Sequence, residues 1–449
     1  MKKIFVIGAG RSASSLIKYL IQVCAVRGWQ LTVGDFDLQR AKGKLKDTEN
    51  SRAIQFDIQN IEQREIEISD ADLVISLLPA KLHIAAVEAC VKFGIHFINA
   101  SYVTDEIQDF DHDAKNREII ILNECGLDPG IDHMSGMKVI DNIRSSGAKL
   151  TGFETFTGGL LAPNEDDNPW KYKFTWNPRN VVTAGQGGVK YLQEGKYKYI
   201  PYHRLFRRTE VMHIPGYGHF EGYANRDSLK YRDLYGLHDI HTMFRGTLRR
   251  PGFCKAWNVF VQLGATDDTY ELKRISTLTH REFINLFLSY NPHDSVELKL
   301  AHYLNLDMGS DEMYKLKWLD MFEDILIGLD EGTPARVLEH ILKKKWTLTP
   351  QEKDMIVMWH KFDFILDGEH KQIQSTLVFI GEDEIHTAMS RTVGLPLGIA
   401  AKLILEGKIN QTGVCIPTIA SIYNPILQEL KEEGVDMIES EVELEEIKK

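Results

Sequence analysis

The chain opens Lys2-Lys3-Ile4-Phe5-Val6-Ile7-Gly8-Ala9-Gly10-Arg11-Ser12-Ala13, and no other stretch limits the possible folds as sharply. The short apolar run before Gly8 reads as a buried strand. Gly-x-Gly-x-x-Ala follows at once, and a helical pattern then covers residues 14–26. Strand, glycine turn and helix in that order form a phosphate cradle. Gly8 permits the tight turn and Gly10 lets the backbone approach a pyrophosphate. Small Ala13 lets the helix pack close to the strand, and the helix N-terminus offers unpaired N–H groups to the anion. The motif alone suits any tight strand-to-helix turn; its setting makes it a dinucleotide fingerprint.

A second strand, residues 29–33, runs into Gly34-Asp35-Phe36-Asp37. A carboxylate at this strand end can accept hydrogen bonds from ribose hydroxyls and repels a 2′-phosphate. Asp35 therefore points to NAD over NADP, whereas Asp37 better suits a helix cap. Further strands are expected at residues 53–57, 71–78, 97–100 and 118–125, with a helix over 81–93. This alternation implies an α/β fold, an N-terminal Rossmann domain with a doubly wound parallel sheet. Ligands bind at the carboxyl ends of such strands. Asp57, Leu78 and Asn99-Ala100-Ser101-Tyr102 thus fall on the cofactor edge.

Composition narrows the remaining classes. A chain of 449 residues has room for more than one domain. The net charge of -11, with Lys and Arg dispersed and no basic block, argues against a nucleic-acid partner. Five cysteines (Cys24, Cys90, Cys125, Cys254 and Cys415) without a Cys-x-x-Cys fit a reduced, cytoplasmic setting. His238 and His241 lack a third ligand at suitable spacing, so no metal is expected. Residues 4–7 are too short for a signal segment. Residues 393–405, which include Pro396 and Lys402, are too short to span a bilayer, so no membrane partner is expected. The acidic tail, residues 428–449, reads as a solvated helix or frayed end.

Beyond residue 126 the pattern changes. Glycine-rich turns with many Tyr, Arg and His over 126–257 suggest a mixed β domain with long loops. Residues 267–346 are helical in pattern, with helix starts signalled at Thr279-His280-Arg281-Glu282, Asp294-Ser295-Val296-Glu297 and Thr333-Pro334. Residues 356–366 and 372–380 alternate and join through Asp367-Gly368, a hairpin signal. A last helical region, 384–406, is expected to pass back against the first domain, kinked near Pro396. The predicted division is a Rossmann domain over 1–126 with 384–449 packed on it. An α/β substrate-binding and dimerisation domain takes 127–266 and 347–383, with a helical insertion at 267–346.

Several motifs of the middle region carry chemistry. Gly126-Leu127-Asp128-Pro129-Gly130-Ile131-Asp132-His133 follows the sixth strand, at the edge where a nicotinamide would lie. Asp128 can orient an ammonium group or exchange a proton, and Asp132 reads as a cap opening the next helix. Lys173 and Asn177 sit among aromatics and could contact cofactor or substrate. Arg226 and the cluster Arg245, Arg249 and Arg250 offer guanidinium forks that match carboxylates, which suggests a substrate with several of them. For Arg250 a solvated face is the simpler expectation.

In these motifs the chain resembles saccharopine dehydrogenase of the L-glutamate-forming type. The matching signatures are Gly-Ala-Gly at the start, Asp72-Leu73-Val74-Ile75-Ser76-Leu77-Leu78-Pro79, Ala100-Ser101-Tyr102, and the octapeptide from Gly126 to His133. Gly158-Gly159-Leu160, Asp167-Asn168-Pro169, Lys173-Phe174-Thr175-Trp176, Asn225-Arg226-Asp227-Ser228, Arg245-Gly246-Thr247-Leu248-Arg249 and Thr392-Val393-Gly394-Leu395-Pro396 follow in order. The resemblance implies a Rossmann domain, an α/β substrate domain with a helical insertion, and a homodimer. The implied reaction oxidises saccharopine with a nicotinamide cofactor to L-glutamate and 2-aminoadipate semialdehyde. It further implies saccharopine contacts at Ser101, Tyr102, Asp128, Arg226, Thr247, Leu248 and Arg249. Cofactor contacts are implied at Ala9, Gly10, Arg11, Ser12, Asp35, Phe36, Asp37, Asp57, Ile58, Leu78, Ala100, Ser101, Leu127, Asp128, Pro129 and Asn177, beside Gly8 of the turn. Three carboxylates on saccharopine account for the arginines. Asp128 and Tyr102 are the candidates for its proton transfers.

Two departures from the family pattern matter. Several fungal members carry cysteine where this chain has Thr157, so a mechanism needing that thiol does not transfer. NADP-using members carry arginine in place of Phe36, after a neutral residue in place of Asp35. NAD is accordingly the expected cofactor, with NADP possible, and NAD suits lysine breakdown. The rival readings are a polyamine enzyme similar to carboxynorspermidine dehydrogenase and a nucleotide-sensing module without turnover. The first has a substrate with fewer carboxylates; the second would bind NAD without any absorbance change.

Overall fold

The computed structural model describes residues 1–45, 48–163 and 168–442. The chain forms two units, Met1–Leu150 with Asp363–Lys449, and Thr151–Phe362. In the first unit β1 (Lys3–Ile7), β2 (Gln30–Asp35), β3 (Ser51–Gln55), β4 (Leu73–Ser76), β5 (His96–Asn99) and β6 (Ile120–Leu122) join the strand Gly413–Cys415 in one sheet. The strand order is Gly413–Cys415, β6, β5, β4, β1, β2, β3, and every pairing is parallel. Central β1 is apolar at Ile4, Phe5, Val6 and Ile7, and all four are buried, as expected of a parallel strand covered on both faces. Phe5, Ile7, Val74 and Phe97 pack in one cluster with Ala86, Val87 and Cys90 of the helix His83–Phe93. β6 is shorter than the predicted 118–125 because Glu118 (φ 55°) and Glu124 (φ 56°) both adopt left-handed backbone, which interrupts the extended chain.

The helices Ala13–Arg27 and Ala388–Leu405 lie against one another in this unit. Their approach is close because of glycine: a Cβ at Gly394 would stand 2.8 Å from Leu16 N, and one at Gly398 2.6 Å from the Tyr19 ring. The helix Ala388–Leu405 falls within the helical region predicted at 384–406 and continues through Pro396. By length and composition it could cross a membrane, with 18 residues at a mean hydropathy of 1.3, but 78% of it is buried inside the protein. That burial is what an apolar core helix requires.

The boundaries differ from those predicted. The first unit runs to Leu150 instead of closing at 126, because the helix Ile131–Ser145 packs on the helix Ala420–Glu432. Tyr423 donates to Asp141 Oδ2 across that contact at 2.6 Å. The unit resumes at Asp363, before the predicted 384. The predicted solvated tail also differs. Its helix ends at Glu432, and Ile438–Val442 is a strand paired antiparallel with the strand Glu369–Ile380. Residues 443–449 of that tail lie outside the described residues. The hairpin turn is where it was expected: Asp367 (φ 53°) and Gly368 (φ 86°) supply the two left-handed positions of a tight turn.

The second unit carries a mixed sheet. It runs β10 (Thr209–Ile214), β11 (Gly218–Ala224), β12 (Thr242–Arg249), β7 (Lys149–Leu161) and then the strand Asp354–Leu366; β8 (Val189–Gln193) and β9 (Lys196–Ile200) form a side hairpin on β12. β12 pairs parallel with β7 and antiparallel with β11. The predicted helical segment holds the helices His280–Asn285, Val296–Leu304, Asp311–Trp318 and Pro334–Trp346, and a two-stranded ribbon of Leu272–Lys273 with Glu331–Gly332. The capping box at Thr279 and Glu282 forms. At the next helix the cap is Ser295, not Asp294: its side chain accepts from Leu298 N at 3.2 Å.

Candidate functional site

The glycine turn after β1 is built from both sides. Gly8 adopts φ 105° and donates its N–H to Gly34 O at 2.7 Å, which ties the turn to β2. Ala9 donates to Asp35 Oδ2 at 2.7 Å. Gly10 is different. A Cβ there would meet no protein atom within 4 Å, so protein packing gives no reason for glycine at this position. A ligand approaching the backbone does, and the turn fits the phosphates of a dinucleotide on that ground. Arg11 is exposed, Ser12 is half-buried just before the helix, and Ala13 is fully buried, as its packing role requires.

The other predicted cofactor residues of this unit also stand at carboxyl ends of its parallel strands. Asp35 ends β2, where Oδ1 accepts from Asp37 N at 2.9 Å; both of its oxygens therefore brace backbone. Asp37 accepts from Gln39 N at 2.9 Å and serves as a cap, while Phe36 between them is 73% exposed. Asp57 closes a turn after β3 by accepting from Gln59 N at 2.9 Å, beside buried Ile58. Leu78 follows β4, and half-buried Ala100, Ser101 and Tyr102 follow β5.

Beyond β6, Leu127, Asp128 and Pro129 occupy a closed loop. Gly126 donates to Pro129 O at 3.0 Å and Ile131 to Gly126 O at 2.9 Å. Gly130 (φ 147°) cannot be replaced without strain, since a Cβ would stand 2.1 Å from Gly126 O. Asp132 accepts from Gly130 N at 2.7 Å, so it closes the loop from inside the first helical turn, with Gly130 as the cap residue. Leu127 and Pro129 are buried, and Asp128 is partly open.

Two buried contacts at this edge escaped sequence analysis. Glu124 accepts from Val103 N at 3.0 Å through Oε1, and its Oε2 lies 2.9 Å from His133 Nε2. This fully buried pair joins the segment after Tyr102 to the loop of Asp128. His83 contacts Ser101 Oγ through Nε2 at 2.8 Å and Ser76 Oγ through Nδ1 at 2.9 Å. Burial lowers the His83 pKa to about 4, so the ring is neutral near pH 7. No periodicity marks either pair; only the presence of polar residues in apolar surroundings could have drawn attention to them. Cys125 is fully buried and its thiol is pushed up by burial, which leaves it inert.

Arg226, Thr247, Leu248, Arg249 and Asn177 belong to the second unit. Thr247 and Leu248 stand on β12, in register with Tyr223 and Gly222 of β11. Gly158 on β7 is explained here: a Cβ would meet Leu248 O at 2.6 Å. Arg249 is 4% exposed, and its guanidinium lies over the rings of Tyr172 (4.8 Å), Phe253 (5.2 Å) and Tyr223 (5.8 Å). It donates to Leu248 O at 2.8 Å through Nη1, while its Nε and the Tyr172 hydroxyl are buried without a hydrogen-bond partner. A buried cation with an open donor can meet a carboxylate.

Arg226 is exposed, with left-handed backbone at φ 51°. Asn177 is exposed and caps the helix Pro178–Val182, accepting from Arg179 N at 3.0 Å. Lys173 is buried and paired with Glu352. Arg250 is not simply solvated, since it donates to Tyr217 O at 2.7 Å and stacks 4.2 Å over Phe220. Asn168 lies in the second unit, whereas Asp167 of the same motif lies outside the described residues. Among the described residues no group of three His, Cys, Asp or Glu side chains is placed to hold a metal.

Comparison with known proteins agrees along the whole chain. Residues 4–122 match the family model described as saccharopine dehydrogenase NADP binding domain, and residues 126–435 the saccharopine dehydrogenase C-terminal domain. The chain is 33% identical over 442 residues to the mitochondrial alpha-aminoadipic semialdehyde synthase of Rattus norvegicus, covering 97% of this chain and 47% of that protein. It thus spans about half the length of that relative. It is also 31% identical over 438 residues to the saccharopine dehydrogenase [NADP(+), L-glutamate-forming] of Saccharomyces cerevisiae, covering 96% of this chain and 97% of that one. The solved structure of apo histidine-tagged saccharopine dehydrogenase (L-Glu forming) from Saccharomyces cerevisiae superposes with a TM-score of 0.89. It covers 99% of this chain and 100% of that chain at 29% identity.

Proposed function

The chain belongs to the saccharopine dehydrogenase family, and from that premise we propose that it oxidises saccharopine with a nicotinamide dinucleotide. The observation that carries this reading is the full-length similarity to a protein named for that activity, at a TM-score of 0.89. The turn at Gly8, Ala9 and Gly10, with the strand ends at Asp35, Asp57, Leu78 and Ala100, holds the dinucleotide. A nicotinamide bound there would supply the hydride acceptor for the lysine-derived carbon beside the secondary amine of saccharopine. Asp128 and Tyr102 handle the proton lost by the amine and the protons moved as water adds to the imine. The C–N bond then breaks, releasing L-glutamate and the aldehyde. Arg226, Thr247 and Arg249 bind carboxylates, and the open Nε donor of buried Arg249 supports that role.

The same proposal includes a preference for NAD. Its support is the Asp35 carboxylate at the end of β2 and the absence of a cation at Phe36. The Saccharomyces cerevisiae relative is named for NADP(+), and the preference for NAD in this chain rests on these two positions alone. A homodimer is the assembly expected with it, and light scattering checks it. The deciding experiment follows absorbance of the reduced cofactor with saccharopine and equal concentrations of NAD or NADP. Turnover led by NAD supports both parts. Turnover led by NADP keeps the enzyme and removes the role of Asp35, and silence with both removes the proposed reaction.

A further inference from the structure

We propose that buried His83, held by Ser76, fixes the Ser101 hydroxyl as a hydrogen-bond donor toward an oxygen acceptor on the bound ligand, resting on the function proposed above. The three groups form one chain: Ser76 Oγ to His83 Nδ1 at 2.9 Å, and His83 Nε2 to Ser101 Oγ at 2.8 Å. His83 is 2% exposed and Ser76 1%, whereas Ser101 is half-buried at the end of β5. A neutral imidazole has one N–H and one bare nitrogen, so hydrogen bonds along this chain run in one direction.

Ser76 sets that direction. Among the described residues, the hydrogen-bond partner of its Oγ is His83 Nδ1. If Nδ1 carried the proton, the Ser76 hydroxyl hydrogen would be buried without an acceptor, which costs the full desolvation of that donor. Ser76 therefore donates to Nδ1, and Nε2–H donates to Ser101 Oγ. The place of His83 at the start of its helix also disfavours a second proton on the ring. With His83 donating to it, Ser101 keeps its own hydrogen for the open side of the strand end, where ligands of parallel sheets bind. A hydroxyl held this way suits a carboxylate of saccharopine or an oxygen of the dinucleotide, and it disfavours a donor. His83 is a positioning residue acting through Ser101.

The test combines a double-mutant cycle with NMR. Dissociation constants for the reduced dinucleotide and kcat/KM for saccharopine are measured for H83A, S101A and the double variant. H83A is expected to weaken one of the two by about tenfold. In the S101A background the same substitution is expected to add no further loss. A loss in dinucleotide affinity identifies that group as the acceptor; a loss in saccharopine KM alone identifies a substrate carboxylate. Losses that simply add overturn the proposal. Independently, the unaltered protein labelled with ¹⁵N-histidine is expected to show the His83 proton on Nε2, its signal recognised as the one S101A shifts. A proton on Nδ1 overturns the proposal even if H83A does not fold. Neither that result nor the dinucleotide arm depends on whether saccharopine is the substrate.

Discussion

Ala9 donates its backbone N–H to Asp35 Oδ2 at 2.7 Å, so one carboxylate both ends β2 and braces the glycine turn after β1. The cofactor preference proposed above and the architecture of the turn thus rest on the same residue.

The double change Asp35→Ser with Phe36→Arg is expected to shift the ratio of kcat/KM for NAD and NADP by tenfold or more toward NADP. It removes a repulsion and adds a guanidinium that matches a phosphate. Because Ala9 N–H loses its charged acceptor, the variant should also lose on the order of 1–2 kcal/mol of stability. Kinetics with both cofactors and a thermal melt read the two effects separately. An unmoved cofactor ratio ends the selectivity argument.

Gly10 and Gly130 should respond in opposite ways to alanine. Gly10→Ala places a Cβ where no protein atom lies within 4 Å, so the melting temperature should stay close to that of the unaltered protein. Dinucleotide affinity should fall at least tenfold, because the methyl takes space the phosphates need. Gly130→Ala places a Cβ 2.1 Å from Gly126 O, and here stability itself should fall by roughly 3 kcal/mol or more. Melts with and without added dinucleotide separate the two. A destabilised Gly10→Ala would contradict the ligand-based account of that glycine.

These cases show what sequence could and could not reveal. The apolar run of β1, the glycine turn, and the capping box of Thr279 and Glu282 each rest on a local pattern, and each formed. The acidic end of β2 was equally visible, but its hydrogen bond to Ala9 was not, since 26 residues separate the pair. The tail was misjudged for a similar reason. Its strand Ile438–Val442 is stabilised by pairing with the distant strand Glu369–Ile380, which the tail's acidic composition does not show. The first compact unit extends past 126 to Leu150 because the helix Ile131–Ser145 is placed by a partner helix at Ala420–Glu432. Lys173 was visible as a cation among aromatics, yet its partner Glu352 lies 179 residues further on. Local chemistry was legible; pairings set by tertiary contact were not.

Arg249→Lys tests the buried cation. The guanidinium is stacked among Tyr172, Phe253 and Tyr223, and a lysine ammonium cannot reproduce that planar contact or the bond to Leu248 O. We expect the KM for saccharopine to rise tenfold or more while dinucleotide affinity is unchanged, together with a stability loss of about 1–3 kcal/mol. Parallel titrations of substrate and dinucleotide check this. Equal weakening of both ligands would mean that Arg249 acts on the fold alone.

His83 also predicts how stability follows pH. Burial depresses its pKa to about 4 in the folded chain, against about 6.5 for an unfolded histidine. Between these values the unfolded chain binds a proton that the folded chain does not. Stability from this group is therefore complete above about pH 6.5, falls as pH drops toward 4, and changes no further once both states are protonated. His83→Gln removes that one titration and leaves the lowered pKa values of His96, His280, His340 and His386 in place. Denaturant unfolding from pH 7 to pH 4 should thus show the unaltered protein losing on the order of 2 kcal/mol more than the variant. Parallel curves across that window would mean that His83 titrates normally in the folded chain, and the neutral ring between Ser76 and Ser101 would have to be abandoned.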